Sequence, residues 1–163
     1  MSGLQKAAGL PTWPATLAIG SLASPPVYTE IANVGDISGS SSYTVVDVSS
    51  HGSRARRKIT TLLDSGEWST TLFFIPGAGL EPTHTDATNG LQAIYERGDL
   101  RAFAIYYNDD LGTAKFFNAY ISKFAEKMPV AGVLTADVTF TVDNTMGTGT
   151  EAGGPPGTFA PPE

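Results

Sequence analysis

At 163 residues the chain is long enough for one domain with a sizeable core, and its net charge of −6 argues against a general nucleic-acid binder, whose affinity would come from counterions released by Lys and Arg. It has no cysteine, which excludes disulfide staples and thiolate chemistry and fits synthesis in a reducing cytoplasm. Charged residues make up only 16 %, against about 25 % in typical soluble domains, so part of the surface is expected not to be permanently wet.

The start, Met1-Ser2-Gly3-Leu4-Gln5-Lys6, lacks a charged segment followed by an apolar core, so it does not read as a signal peptide. No run approaches the ~18–20 apolar residues of a membrane span. The expectation is a soluble intracellular product, or one released by lysis, with no stable membrane insertion.

Residues 1–14, with Gly3, Gly9, Pro11 and Pro14, read as an extended N-terminal arm. Thr16 to Ile19 and Val27 to Ile31 follow as short strands parted by Ser24-Pro25-Pro26, with Val34 to Ile37 a candidate continuation of the second. From Ser38 to Lys58 the chain turns Ser-rich, with Gly39 and Gly52 and the basic cluster Arg54, Arg56, Arg57 and Lys58. A connection this long is generally functional or disordered, and it is expected to be a long mobile loop. Ile59 to Leu63 and Glu67 to Ile75 read as strands joined in a hairpin across Asp64-Ser65-Gly66.

One helix is expected after Asp86. Asn89 and Gln92 have capping-box spacing, Leu91, Ile94 and Tyr95 form an i, i+3, i+4 stripe, and Gly98 sits where a C-cap belongs. Arg101 to Tyr107 and Lys115 to Ala125 read as a hairpin. The second of these strands is apolar on both faces, with Phe117, Ala119 and Ile121 on one and Phe116, Tyr120 and Phe124 on the other. The last strand alternates without a break: Leu134, Ala136, Val138, Phe140 and Val142 inward, Thr135, Asp137, Thr139 and Thr141 outward. From Gly147 onward nine of 17 residues are Gly or Pro, so residues 146–163 read as a flexible tail, with residues 15–145 as the domain. The fold class is mainly β: a β-sandwich or barrel with one short flanking helix, the long loop over 38–58 and the C-terminal tail.

Candidate chemistry is thin. His51 and His84 fall on different loops without metal-ligand spacing and read as solvated. Asn108, Asp109 and Asp110 are explained by turn chemistry, because no further acidic residue follows at calcium-loop spacing. Gly77-Ala78-Gly79 lacks the Gly-Lys-Ser/Thr ending of a phosphate loop. No nucleophile sits in a recognisable elbow. The expectation is no enzyme, no catalytic residue, no metal and no cofactor. The basic cluster reads either as a solvated loop or as a contact with an acidic surface on another copy, since a basic loop on an acidic chain attracts its own kind head to tail.

The segment Ser69 to Gly77, the helix, Tyr95-Glu96-Arg97-Gly98-Asp99-Leu100-Arg101-Ala102-Phe103, then Phe117 to Phe124 and the closing alternating strand resemble, in order, the tail tube (major tail) proteins of long-tailed phages. The resemblance covers roughly residues 15–145. It implies a virion protein, made in the host cytoplasm, that forms hexameric rings stacked into a hollow tube around a tape-measure protein. The tube conducts DNA to the host and meets tail-tip or baseplate and terminator proteins. The long loop, here 38–58, would contribute Tyr43, His51, Arg54, Arg56, Arg57 and Lys58 to the contact between subunits or rings. Asp137 and Asp143 become candidates for an acidic lumen wall that repels phosphate. Alternative readings are a tail terminator, the tube of a contractile particle or, more remotely, a carbohydrate-binding β-sandwich.

Overall fold

The computed structural model describes residues 15–52, 54–77, 79–108, 111–151 and 154. The N-terminal arm expected over 1–14, the carboxylates Asp109 and Asp110, and most of the expected tail lie outside the described residues. In chain order the elements are β1 (Thr16–Gly20), β2 (Tyr28–Glu30), β3 (Val34–Gly39), β4 (Ser42–Asp47), β5 (Lys58–Asp64), β6 (Glu67–Phe73), the one-turn helix α1 (Pro82–Thr85), α2 (Leu91–Arg97), β7 (Arg101–Tyr106), β8 (Thr113–Lys127) and β9 (Thr135–Thr150).

Seven strands form one antiparallel sheet in the order β2-β1-β7-β8-β9-β6-β3, while β4 and β5 pair only with each other. The two edge strands β2 and β3 are separated by residues 31–33 alone, and this link touches both edges. Ile31 N–H donates to Leu17 O on β1 at 2.8 Å, and Phe73 N–H on β6 donates to Asn33 O at 3.0 Å. Three residues span at most ~11 Å, so the sheet must roll until its edges meet. The result is a flattened barrel, which hides edges that would otherwise recruit stray strands.

Helix α1 seals the seam. Ala32 N–H donates to Thr83 Oγ1 at 3.3 Å; His84 Nε2 bonds Ala32 O at 2.9 Å, and Ile75 N–H donates to His84 Nδ1 at 3.2 Å. Because Nδ1 accepts, the proton sits on Nε2, a neutral tautomer fixed by two backbone partners. His84 is therefore no solvated loop histidine; it is fully buried and stacks on Phe74 at 5.8 Å.

The barrel interior collects Leu17, Ile19, Phe103, Ile105, Phe117, Ala119, Leu72, Val138 and Phe140, with Leu91 and Ile94 of α2 closing one end. Phe103, Phe117 and Phe140 meet at its centre, with Phe103 edge-on to Phe140 at 4.8 Å. A smaller cluster of Ala18, Ala104, Tyr106, Ala114 and Phe116 lies on the other face of β1, β7 and β8. Every residue of β7 is consequently buried. Arg101, at its head, is one of them. Its Nη1 donates to Thr88 O at 2.9 Å, and its Nη2 to Gly20 O at 2.7 Å and Asn89 Oδ1 at 2.6 Å. Three acceptors tie β1, β7 and the turn before α2 to one cation.

Several expectations need correction. Val34 to Ile37 does not continue β2; Asn33, at φ 59, turns the chain and sends β3 to the opposite edge. The hairpin expected across Asp64-Ser65-Gly66 does not exist, because β5 pairs with β4 and β6 pairs with β3 and β9. The span 38–58 is not loop throughout, since it holds all of β4. Residues 146–150, expected in the tail, extend β9, and 147–150 pair with the start of β8. Asn89 does not cap α2: the N-cap is Gly90, without a side-chain bond, and Asp86 Oδ2 instead accepts from Thr88 and Asn89 N–H at 3.0 and 2.8 Å. Gly98 does close α2, at φ 71. The hairpin of β7 and β8 pairs in register from Arg101↔Ala119 to Tyr106↔Ala114. In β8 a bulge at Ser122 shifts the phase of alternation, so Phe124 pairs with Val138 and packs on the main core instead of sharing the face of Phe116.

Candidate assembly surfaces

Strands β4 and β5 leave the barrel as an arm. At its root, Ser40 N–H donates to Glu67 O at 3.3 Å, and Gly66 takes φ 72, where a Cβ would meet Ser40 O at 2.0 Å. Only glycine lets the two chains run so close. Ser65 Oγ donates to Asn144 O at 2.7 Å, anchoring the root in a bulge of β9 that lies between the pairs Phe116↔Gly147 and Asn118↔Asp143.

Beyond the root every residue of β4 and β5 is exposed. In an antiparallel pair, directly opposite residues share a face. One face of the arm shows Tyr43 opposite Leu63, then Val45; the reverse shows Val46 opposite Ile59, then Val48. These side chains are 41 to 54 % exposed, and Leu62, at a register shift, is 74 % exposed. A two-stranded hairpin is marginal in water, and one apolar on both faces exposes hydrophobic area that folded monomers usually hide.

The expected contact residues spread along this arm and do not gather at one spot. Tyr43 stands near the root, while His51, Arg54, Arg56 and Arg57 occupy the exposed tip and Lys58 opens β5. Arg56 Nε lies 3.9 Å from Asp47 Oδ2, a loose pair between exposed side chains. Asp47 is held below the usual carboxylate range by hydrogen bonds from Ser49, whose N–H lies 2.9 Å from Oδ1. Sequence reasoning found the charges and missed Val45, Val46, Val48 and Leu62. The available signal was the run Tyr43-Thr44-Val45-Val46-Asp47-Val48, β-branched and bounded by serines.

The outward face of β9 is a hydroxyl surface. Thr135, Asp137, Thr139 and Thr141 stand beside Ser69 and Thr71 of β6, and Ser38 of β3 adds a hydroxyl 3.2 Å from that of Ser69. Asp137 does not present a bare charge. Thr71 Oγ1 donates to it at 2.6 Å and Lys127 Nζ lies 2.8 Å away. Hydrogen bonds from Lys127 and Thr71, with the nearby Lys123 charge, lower its pKa. Asp143 is exposed on the same alternating face, six residues or ~20 Å along the strand, so the two carboxylates do not form one site. The face is thus mixed in charge.

The profile of a sequence family described as "Lambda phage tail tube protein, TTP" matches residues 15–149. The chain belongs to this family. It is a structural component of a phage tail tube, and its place is the virion tail. No curated protein matches the sequence significantly. Among solved structures, the fold is similar to a chain of the PVC sheath-tube complex, an extracellular contractile injection system in its extended state. The TM-score is 0.64 at 12 % identity, covering 92 % of this chain and 97 % of that one. The SPP1 tail tube gives a TM-score of 0.64 at 12 % identity, covering 84 % and 77 %. The tail of an empty GTA particle, refined with C6 symmetry, gives 0.60 at 17 % identity, covering 80 % and 92 %. At these identities the likeness is one of fold. Among the described residues no helix is long and apolar enough to cross a membrane.

Proposed function

We propose that this tail tube protein polymerises through its β4–β5 arm into stacked hexameric rings that enclose a tape-measure protein and conduct DNA to the host. The observation that carries this reading is an arm with an apolar stripe on each face, attached to a barrel that otherwise buries its core. Two bare faces call for two covering surfaces, one from a lateral neighbour and one from the adjacent ring. The ring number takes support from the sixfold symmetry of the GTA tail. Tail-tip or baseplate and terminator proteins are the partners at the tube's ends, in keeping with the sheath and tube terminator and the tube-terminating cap among structures of similar fold.

In this reading Tyr43, His51, Arg54, Arg56, Arg57 and Lys58 belong to the ring-stacking contact, and Asp137 and Asp143 face the lumen. The lumen wall differs from the purely acidic one first expected. Rows of Ser and Thr hydroxyls with Asp137 neutralised by Lys127 offer DNA neither a strong anchor nor a strong repulsion. The chain works by assembly, without catalysis or cofactor.

The test is electron microscopy and sedimentation of the purified protein, concentrated alone and with tail-tip complexes as nucleators. Tubes of uniform diameter are expected. A chain that stays monomeric under both conditions overturns the reading.

A further inference from the structure

The register of β6 on β9 fixes the arm and a second exposed apolar surface at opposite ends of the same strands. Glu67, beside the arm root, pairs with Thr141, and Phe73 pairs with Thr135 six steps away, about 20 Å along the sheet. At that far end the turn between β8 and β9 carries Met128, Val130 and Val133, all exposed, Val130 fully so. Phe73, half exposed, lies next to it, and Phe74 N–H donates to Leu134 O at 3.1 Å, which fixes the turn against the end of β6.

Both helices sit at this end as well. His84 of α1 binds Ile75, just past β6, and Tyr95 of α2 stacks on Phe124, whose cross-strand partner is Val138. Residues 81–99 hold four acids, Glu81, Asp86, Glu96 and Asp99, against the single cation Arg97, leaving the segment at −3. The arm over 42–64 holds Arg54, Arg56, Arg57 and Lys58 against Asp47 and Asp64, leaving it at +2. The arm is therefore apolar and basic, and the helical segment at the opposite end of the barrel is acidic.

We infer that the receiving surface for the arm is the β8–β9 turn and the acidic helical segment 81–99 of a second copy, so that rings stack head to tail. This rests on the tube reading above and adds the docking site to it. One apolar face of the arm covers Met128, Val130 and Val133, the other being left to the lateral neighbour, and its basic tip lies against the helices. Because the two complementary surfaces sit at opposite ends of one chain, the contact is heterologous and does not close, which is the geometry of a filament. The opposite charges raise the encounter rate and reject the reversed stacking, in which tip would meet tip.

The test uses two variants of the full chain. The receiver variant carries Met128→Glu and Val130→Glu, both at exposed turn positions; the arm variant carries Arg54→Glu, Arg56→Glu, Arg57→Glu and Lys58→Glu. Each should keep the wild-type circular dichroism and melting temperature, and each alone should raise the critical concentration for tubes at least about tenfold. Mixed together, they should form paired rings and no longer tubes, because intact arms on one variant meet intact receivers on the other exactly once per pair. If the wild type polymerises and the receiver variant does so equally well, the docking site is overturned while the tube reading stands. A mixture that yields no paired species, or full tubes, overturns it too. A wild type that never polymerises removes the tube reading and this inference together.

Discussion

The barrel and the arm follow opposite rules. In the barrel β7 is buried on both faces, the buried Arg101 cation finds three acceptors, and the seam between the sheet's edges is held by Thr83 and His84. In the arm two strands stand alone, every residue of both is exposed, and apolar side chains occupy both faces. The difference teaches where each property of the molecule resides. The buried core and its polar ties lie in the barrel, and in the proposed assembly the contacts between copies fall to a segment that its own chain does not cover.

This division is most easily broken at the centre of the barrel. Phe140→Ala removes the ring between Phe103 and Phe117 and should destabilise the monomer by about 3–5 kcal/mol in chemical denaturation. His84→Ala, which frees Ile75 N–H and Ala32 O at the seam, should cost about 2–4 kcal/mol, with amide exchange rising first at residues 31–33 and 73–75. Arg101→Ala leaves the buried Gly20 O without its donor, while Thr88 O keeps Arg97 and Asn89 can turn to water, and should cost about 1–3 kcal/mol in chemical denaturation. If these losses were instead seen on substituting the arm, the division would be wrong.

Tyr28 sharpens the comparison at the small end of the scale. Its hydroxyl is buried without a hydrogen-bond partner, and burial, helped by Tyr106, raises its pKa to about 12. The unfolded phenol ionises near 10 and the folded one near 12. Between those values the unfolded chain binds fewer protons, so this group's contribution is full below pH 10 and is lost as pH rises through the window. Tyr28→Phe should be neutral or slightly stabilising at pH 7 and should flatten the alkaline loss of stability followed by melting temperature. Asp137→Asn is also small at pH 7, within about 1 kcal/mol, as for other ion pairs at the surface. Since the folded pKa of Asp137 lies below the ordinary 3.8, its contribution is present above that value and fades as pH falls through the folded one.

What could be read from the amino-acid order alone follows the same line. The alternation of β9, the β7–β8 hairpin and the Gly98 cap are local patterns, and they form as the residues dictate. The roll of the sheet was not legible, because it depends on β2 and β3 reaching opposite edges within four residues. Phe124 was placed on the wrong face because alternation says nothing of a bulge formed with a partner strand. The arm misled for a related reason. Its Ser-rich flanks and basic cluster look like loop, and its strand partner, β5, reads equally well as half of a hairpin with β6. His84 was misjudged because its two backbone partners, Ala32 and Ile75, come from separate parts of the chain.

The central claim is that the arm serves assembly and contributes nothing essential to the fold. Since Ser40 and Glu67 are already hydrogen-bonded at 3.3 Å, residues 42–64 can be replaced by Gly-Gly without opening the barrel. Sedimentation and electron microscopy of this variant, beside its thermal melt, test the claim most directly. The account predicts a monomer with the wild-type melting temperature that forms no tubes at any concentration, with or without tail-tip nucleators. Tubes from the armless chain, or a barrel that no longer folds, would contradict it.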